Sequence, residues 1–370
     1  MGEVRLGIVG AGTMGSGHIR TLGSGRVRGA RLAAVCDINP KALQGHGDVP
    51  TFTNSNELIA SGKVDAVLIA TPHYFHTTIG IAALSAGLHV LVEKPISVHK
   101  ADCERLIAAH RNPKQVFAAM FNQRTDPVYR ELRRMIGEGE IGSLFRVSWI
   151  ITNWFRTHAY YTSGDWRATW GGEGGGVLLN QCPHQLDLWQ WLFGMPRKVH
   201  AFASFGKRHP IEVEDEVTAY LEYASGATGT FVTTTGEYPG TNRLEIAGDR
   251  GRIVLEGDRL SQDRTVVRVT DYSRTSPERF KGPDLWRSEV LAGSRGEQHA
   301  GIIQNFVDAV ADGAPLIAPA AEGIRSVELA NAMLYSALEG RTIDLPLDGA
   351  AYEGRLKALV EGSRLPRGAR

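Results

Sequence analysis

The sequence predicts an α/β protein in two domains. An alternating, parallel-sheet domain should occupy residues 1–124, and an α+β domain with a large, mainly antiparallel sheet residues 125–370. Three observations carry this expectation. Apolar β-branched runs alternate with helical stretches up to about residue 120, as parallel strands joined by crossover helices do. After residue 144 the pattern becomes one of closely spaced strand runs separated by short polar or glycine turns. And 370 residues exceed what one hydrophobic core ordinarily organises.

The first strand, Val4-Arg5-Leu6-Gly7-Ile8-Val9, runs straight into Gly10-Ala11-Gly12-Thr13-Met14-Gly15 and then a helical stretch. Such a glycine pattern is weak evidence alone. Here it lies between a strand and a helix, and a second strand, Leu32-Ala33-Ala34-Val35-Cys36, ends at Asp37 about 20 residues later. That context points to a Rossmann dinucleotide site. Gly10 and Gly12 let the backbone approach a pyrophosphate, which would meet Thr13 and Met14 at the helix N-terminus, where free amides and the dipole favour anions. Asp37, with Ile38 beside it, can accept hydrogen bonds from the adenosine ribose hydroxyls. A 2′-phosphate there would be repelled unless a cation such as nearby Lys41 screened it, so NAD is expected over NADP.

The third strand, over 64–70, ends at Thr71-Pro72, whose backbone should pass under the cofactor, and His76, expected among the cofactor contacts, should cap or start the helix over 77–86. No carboxylate or thiolate lies at ligand spacing from His73 and His76, so no metal site is expected. Next comes the stretch that organises the chain, a buried parallel strand from Leu88 that stops at Glu93-Lys94-Pro95. In an open α/β sheet, ligands bind beyond the carboxyl ends of the strands, so Lys94 should face whatever the nucleotide fold binds. Taken alone, it reads as well as a surface lysine in a strand-to-helix loop. A helix over 100–111 and a strand over 115–120 lead to Phe121-Asn122-Gln123-Arg124, a further polar strand end.

The second domain opens with a helix over 127–138, carrying Val128, Leu132, Met135 and Ile136 at helical spacing. Strand runs follow at 144–154, 198–205, 216–223, 227–235, 243–247, 252–256 and 264–270, and two helices, 298–312 and 321–339, should cover one face of the resulting sheet. The basic tail over 363–370 reads as a frayed end. Between the first strand and residue 184 lies an unusual composition, Asn153-Trp154-Phe155-Arg156-Thr157-His158-Ala159-Tyr160-Tyr161 and then Trp166-Arg167-Ala168-Thr169-Trp170. Aromatic faces beside forked donors suit a sugar, whose C–H faces pack on rings while its hydroxyls pair with polar groups; an interface or core aromatic cluster is the other reading. Gly171 to Gly176 should let the backbone approach the nicotinamide. His184 follows Pro183 at the start of an amphipathic helix, where the dipole lowers its pKa and leaves it neutral and able to accept a proton.

Gly10-Ala11-Gly12-Thr13-Met14-Gly15, Ala70-Thr71-Pro72, Glu93-Lys94-Pro95 and Asn122-Gln123-Arg124, in this order and spacing, resemble the glucose-fructose oxidoreductase and inositol dehydrogenase family, written Gfo/Idh/MocA. The likeness extends to an altered D-x-G-x-H element in the second domain, where Asn180 stands for the usual aspartate, Cys182 for the usual glycine, and His184 for the histidine. The resemblance implies that Lys94 and His184 are the catalytic pair flanking the reacting carbon. It also implies cofactor contacts from Glu93, Lys94 and Asn122, and from Trp166 and Arg167, and a second subunit against the outer face of the sheet. Substrate contacts are expected from Lys94, Arg124, Asn153, Arg156, His158, Tyr160, Asn180 and His184. Asn180 cannot act as an acid or base, which leaves proton transfer to His184.

Charge excludes other partners. Lys plus Arg (41) nearly balances Asp plus Glu (40), leaving no broad field for nucleic acid or a membrane surface. No apolar run approaches a membrane span, the chain enters its first strand without a leader pattern, and three scattered cysteines suit reduced thiols; all of this points to the cytoplasm. The expected activity is NAD-dependent oxidation of a secondary ring hydroxyl of a sugar, glycoside or cyclitol by a homo-oligomer. Two alternatives stay open. One is an NAD-dependent glycosidase working through transient ring oxidation, with Tyr160, Tyr161 or His158 as its extra acid or base; the other is a non-catalytic sugar or nucleotide sensor.

Overall fold

The structure, a computed structural model, describes residues 2–164, 166–293 and 295–363. Strands β1 (Val4–Val9), β2 (Ala30–Cys36), β3 (Thr51–Phe52), β4 (Ala66–Ile69), β5 (His89–Val92) and β6 (Phe117–Ala119) form a parallel sheet in the order β3-β2-β1-β4-β5-β6. That order reverses between β1 and β4, so a crevice opens where the two halves diverge. The central strands are apolar on both faces because helices cover both. Gly10, at φ +92°, lies where β1 turns into helix Thr13–Gly23, and a Cβ there would sit 2.6 Å from the Ala70 carbonyl oxygen.

The second sheet has nine strands: β7 (Leu144–Ile151), β8 (Lys198–Phe205), β9 (Glu214–Glu222), β10 (Thr228–Thr234), β11 (Asn242–Gly248), β12 (Gly251–Glu256), β13 (Arg259–Thr265), β14 (Leu285–Val290) and β15 (Ile343–Asp344). Their order is β14-β13-β12-β11-β7-β10-β9-β8-β15, antiparallel except where β10 runs parallel to β7. Period-two alternation sends Val147, Trp149, Val217, Ala219, Leu221, Phe231, Leu244 and Ile246 inward. Phe145, Ile150, Phe202 and Tyr220 stay exposed.

Two expectations are corrected. Of residues 264–270 only Arg264 and Thr265 are strand, as the end of β13; the chain then turns into helix Val269–Thr275, where the Asp249 carboxylate captures Thr270 through its N–H (2.9 Å) and hydroxyl (3.0 Å). Helices 298–312 and 321–339 do not both cover the second sheet. Helix Gln298–Asp312 buries Ile302, Ile303, Phe306 and Val307 in the nucleotide-domain core instead. Helix Gly323–Glu339 lies between the domains, with Val327 in the first core and Leu329, Ala330, Met333 and Leu334 in the second. Beside it Lys100 Nζ reaches Glu328 (2.9 Å) and the Leu347 carbonyl (2.7 Å), a buried brace that fixes the cleft between the two sheets. The expected frayed tail lies, from residue 364 on, outside the described residues. Among those described, no helix is long and apolar enough to cross a membrane.

Candidate active site

The cleft has a nucleotide-domain wall and a second-domain wall. On the first, the turn at Gly10 brings the chain into helix Thr13–Gly23, whose leading N–H groups have no capping side chain among the described residues. The Asp37 carboxylate accepts from Ala11 N (2.7 Å) and Asn39 N (2.8 Å), which aims it across the glycine turn, and neighbouring Ile38 is 87% exposed. The Thr71 hydroxyl is shielded from solvent with no partner, beside Pro72 at the end of β4. Free amides at a helix start, a carboxylate beside the glycine turn and an unpaired hydroxyl along one crevice fit a dinucleotide. An open cavity of about 370 Å³ flanks this helix, lined by Met14, His18, Gln298 and His299 among others.

His76 is within the first turn of helix His73–Ser85, not its cap. It is buried, its two ring nitrogens 2.8 Å from the Pro95 and Thr71 carbonyls, so it ties the end of β4 to the loop after Lys94. Glu93 is buried behind Lys94 and meets His18 Nε2 at 2.7 Å. Burial pushes its carboxyl up, but the His18 hydrogen bond and the charges of His18 and Lys94 outweigh that and hold it at about 2. Asn122 is buried too, donating to Gln298 (2.5 Å) with its Oδ1 unpaired. These three expected cofactor contacts therefore support the crevice from behind its surface.

Lys94 crosses to the other wall. Its Nζ donates to the backbone carbonyl of Asn180 at 3.0 Å, at the end of short helix Val177–Asn180. Burial lowers its pKa while Glu93 and Glu173 oppose the shift. His184 opens helix Pro183–Phe193 with Nδ1 closed off and unpaired, and burial, followed by the Lys94 charge, holds its pKa well below the ordinary histidine value. The neutral form expected from the helix dipole is thus favoured by desolvation and a nearby cation.

Tyr160, Arg167 and Asn180 join in one network. The Tyr160 hydroxyl donates to Asn180 Oδ1 (3.1 Å) and accepts from Arg167 Nη1 (2.8 Å) and Gln181 Nε2 (3.0 Å). The Arg167 guanidinium stacks 4.5 Å from both the Tyr160 and Trp166 rings, and Arg156 lies 5.0 Å from Tyr160. Asn153 and His158 are exposed, and His158 packs on His209 instead of joining this network. Tyr161 donates to Thr235 (2.8 Å), and burial raises both tyrosine pKa values, so neither is set up as a base.

Arg124 does not reach the site, contrary to expectation. It is 1% exposed, its Nε and Nη2 on Asp187 (2.8 and 2.6 Å) and its Nη1 on Glu322 (2.6 Å). A buried guanidinium needs such carboxylates, and this one braces helix Pro183–Phe193. Glu173 is the residue that sequence reasoning missed. It accepts from Asn180 Nδ2 and from Ala168 N (2.6 Å), and burial pushes its carboxyl up to about 7. A single acid inside a glycine run was the available signal. The run is no linker: a Cβ on Gly172, Gly174 or Gly176 would come within about 2 Å of Trp166 O, Val98 or Glu214 O.

Residues 4–121 match an oxidoreductase family with an NAD-binding Rossmann fold, and residues 129–254 match the GFO/IDH/MocA C-terminal domain. The chain belongs to the Gfo/Idh/MocA oxidoreductases. This Gfo/Idh/MocA protein is 27% identical to inositol 2-dehydrogenase 1 of Saccharopolyspora erythraea, over 93% of this chain and 97% of the relative. It is 24% identical to levoglucosan dehydrogenase of Pseudarthrobacter phenanthrenivorans, over 94% and 99% of the two chains. Its fold matches the WlbA dehydrogenase of Bordetella pertussis, solved with NADH and UDP-GlcNAcA, with a TM-score of 0.78, 27% identity and coverage of 94% and 100%. It is an NAD-binding enzyme of a family that includes sugar and cyclitol dehydrogenases.

Proposed function

We propose that this protein oxidises a secondary ring hydroxyl of a sugar, glycoside or cyclitol, with residues 1–124, joined by helix Gln298–Asp312, binding NAD and the rest of residues 125–370 binding substrate. One observation carries the reading: Lys94 Nζ spans the cleft to Asn180 O at 3.0 Å, against the segment that leads into His184. Bound NAD supplies the hydride acceptor. His184, neutral at pH 7, accepts the hydroxyl proton, and the Lys94 ammonium stabilises the negative charge that develops on the same oxygen. Tyr160, Arg156 and Arg167 offer ring faces and forked donors to a polyol. The names of relatives, inositol and levoglucosan dehydrogenases, support this substrate class.

A panel of cyclitols, sugars, aryl glycosides and nucleotide sugars, followed for NADH formation and for aglycone release, tests it. NADH formation matched to ketone product is expected; aglycone release without net NADH would replace the reading with a redox-neutral glycosidase. The outward face bearing Phe145, Ile150, Phe202 and Tyr220 suits a second copy of the chain, as a cytoplasmic homo-oligomer would require, and sedimentation velocity checks that.

A further inference from the structure

A buried carboxyl sits where the reaction so far described has no use for one. Glu173 is 1% exposed and its backbone is gripped by the packed glycines on either side, with His73 Nδ1 at its carbonyl (3.3 Å). The hydrogen bonds around it have a fixed sense. Arg167 and Gln181 fill both acceptor positions of the Tyr160 oxygen, so the single hydroxyl proton goes to Asn180 Oδ1. The Asn180 amide therefore turns its NH₂ to Glu173, whose other oxygen takes the Ala168 N–H. Both carboxyl oxygens accept, as in the ionised group. Protonation would weaken the acceptor at one oxygen and add an O–H that needs an acceptor, and turning Asn180 to supply one would drive an NH₂ against the twice-occupied Tyr160 oxygen.

We propose that Glu173 is a positioning residue for the oxidation: as a carboxylate it locks the Asn180 amide, and with it the Tyr160 hydroxyl and the carbonyl on which the Lys94 ammonium rests, so the site is competent only with Glu173 ionised. This rests on the reading that Lys94 acts on the substrate oxygen. Several groups face the carboxyl. Arg167 Nη1, 3.8 Å away, and the Lys94 charge favour ionisation; Glu214 at the start of β9 disfavours it, and Tyr160 and Tyr161 complete the surroundings. Burial brings the titration to about 7, inside the working range of an enzyme.

The test compares wild type, Glu173→Gln and Glu173→Asp at saturating NAD across pH, with the cofactor-free proteins followed by infrared carboxyl titration and by tyrosine ultraviolet difference spectra. In wild type, kcat should rise along an acid limb near neutrality. Glu173→Gln should lose that limb and up to about 100-fold in kcat with KM for NAD unchanged, and Glu173→Asp should recover part of both. Without cofactor, a carboxyl band should titrate near neutrality together with a tyrosine signal that Tyr160→Phe removes. A Gln variant with the wild-type limb or rate, or a carboxyl titration uncoupled from Tyr160, overturns the proposal. Absence of turnover in wild type on the whole panel would count against the functional reading, and the coupled titration would still decide the Glu173 network.

Discussion

Glu93 and Glu173 are the same residue type, both buried, on opposite walls of one cleft, and both bear on the Lys94 charge, yet their carboxyls are pushed opposite ways. Glu93 is held at about 2 and Glu173 raised to about 7. Burial is the largest influence on each. The difference lies in what meets the carboxyl: His18 and Lys94 bring opposite charge to Glu93, whereas Glu173 is met chiefly by an amide and a backbone N–H, with Arg167 at 3.8 Å. Neutral donors offset less of the desolvation cost than a cation in contact. One wall thus carries a permanent anion behind Lys94, and the other a carboxyl that can change state.

The hardest test of this division is at Lys94 and His184 themselves. Lys94→Ala and His184→Ala should each lower kcat by about 10²- to 10⁴-fold with the Kd for NAD little changed, and the double variant should be little worse than the worse single one. Additive losses in steady-state kinetics would mean that the two walls act on different atoms.

Next comes the permanent anion. Glu93→Gln should cost about 3 kcal/mol in urea unfolding, because it leaves the buried partners of a charge pair uncompensated. It should also lower kcat at neutral pH, since Glu93 is the foremost influence keeping the Lys94 pKa up. A variant as stable and active as wild type would remove Glu93 from the comparison.

The two glutamates were not equally legible in the sequence. Glu93 sits in a strand-end motif where an apolar run stops abruptly, and period and position suffice to place it at the carboxyl end of β5, though not to show that its side chain turns back onto His18. Glu173 sits among glycines, where local sequence reads as flexible chain; its importance comes from Asn180, Ala168 and the tight approach of Trp166 and Glu214, none of which a local pattern reports. Arg124 was misread for the converse reason: a polar strand end looks solvent-facing until Asp187 is folded against it. Helix Gln298–Asp312 shows the same limit, since its apolar stripe predicts a helix without saying which sheet it covers.

The pH dependence of stability should separate the walls directly. A lowered carboxyl contributes stability that is present above its unfolded value and lost as pH falls toward 2, so Glu93→Gln should run parallel to wild type from about pH 5 to 8. A raised carboxyl contributes stability that is complete below its ordinary value of 4.5 and lost as pH rises through about 7. Wild type should therefore weaken across this window, helped by Glu214, which is raised to about 7 as well. Glu173→Gln should remove its share, roughly 3 kcal/mol at most. Parallel unfolding curves for Glu173→Gln and wild type would place its titration outside the window.

Asp37 extends the comparison to a carboxylate at the solvent edge of the nucleotide wall. Like Glu173, it is held by neutral N–H donors, from Ala11 and Asn39, but it is only partly buried and keeps lone pairs free for the ribose hydroxyls. We propose that its charge works on the ligand, accepting from two ribose hydroxyls and repelling a 2′-phosphate. In Asp37→Asn the side-chain oxygen can still take one of the two backbone N–H groups, so the turn keeps most of its support while the repulsion disappears. NAD should bind more weakly and NADP more tightly, narrowing the preference by about tenfold, or some 1.4 kcal/mol, in calorimetry at fixed salt. An unchanged ratio would mean that discrimination lies with other groups, Lys41 first among them, and that Asp37 serves only to shape the glycine turn.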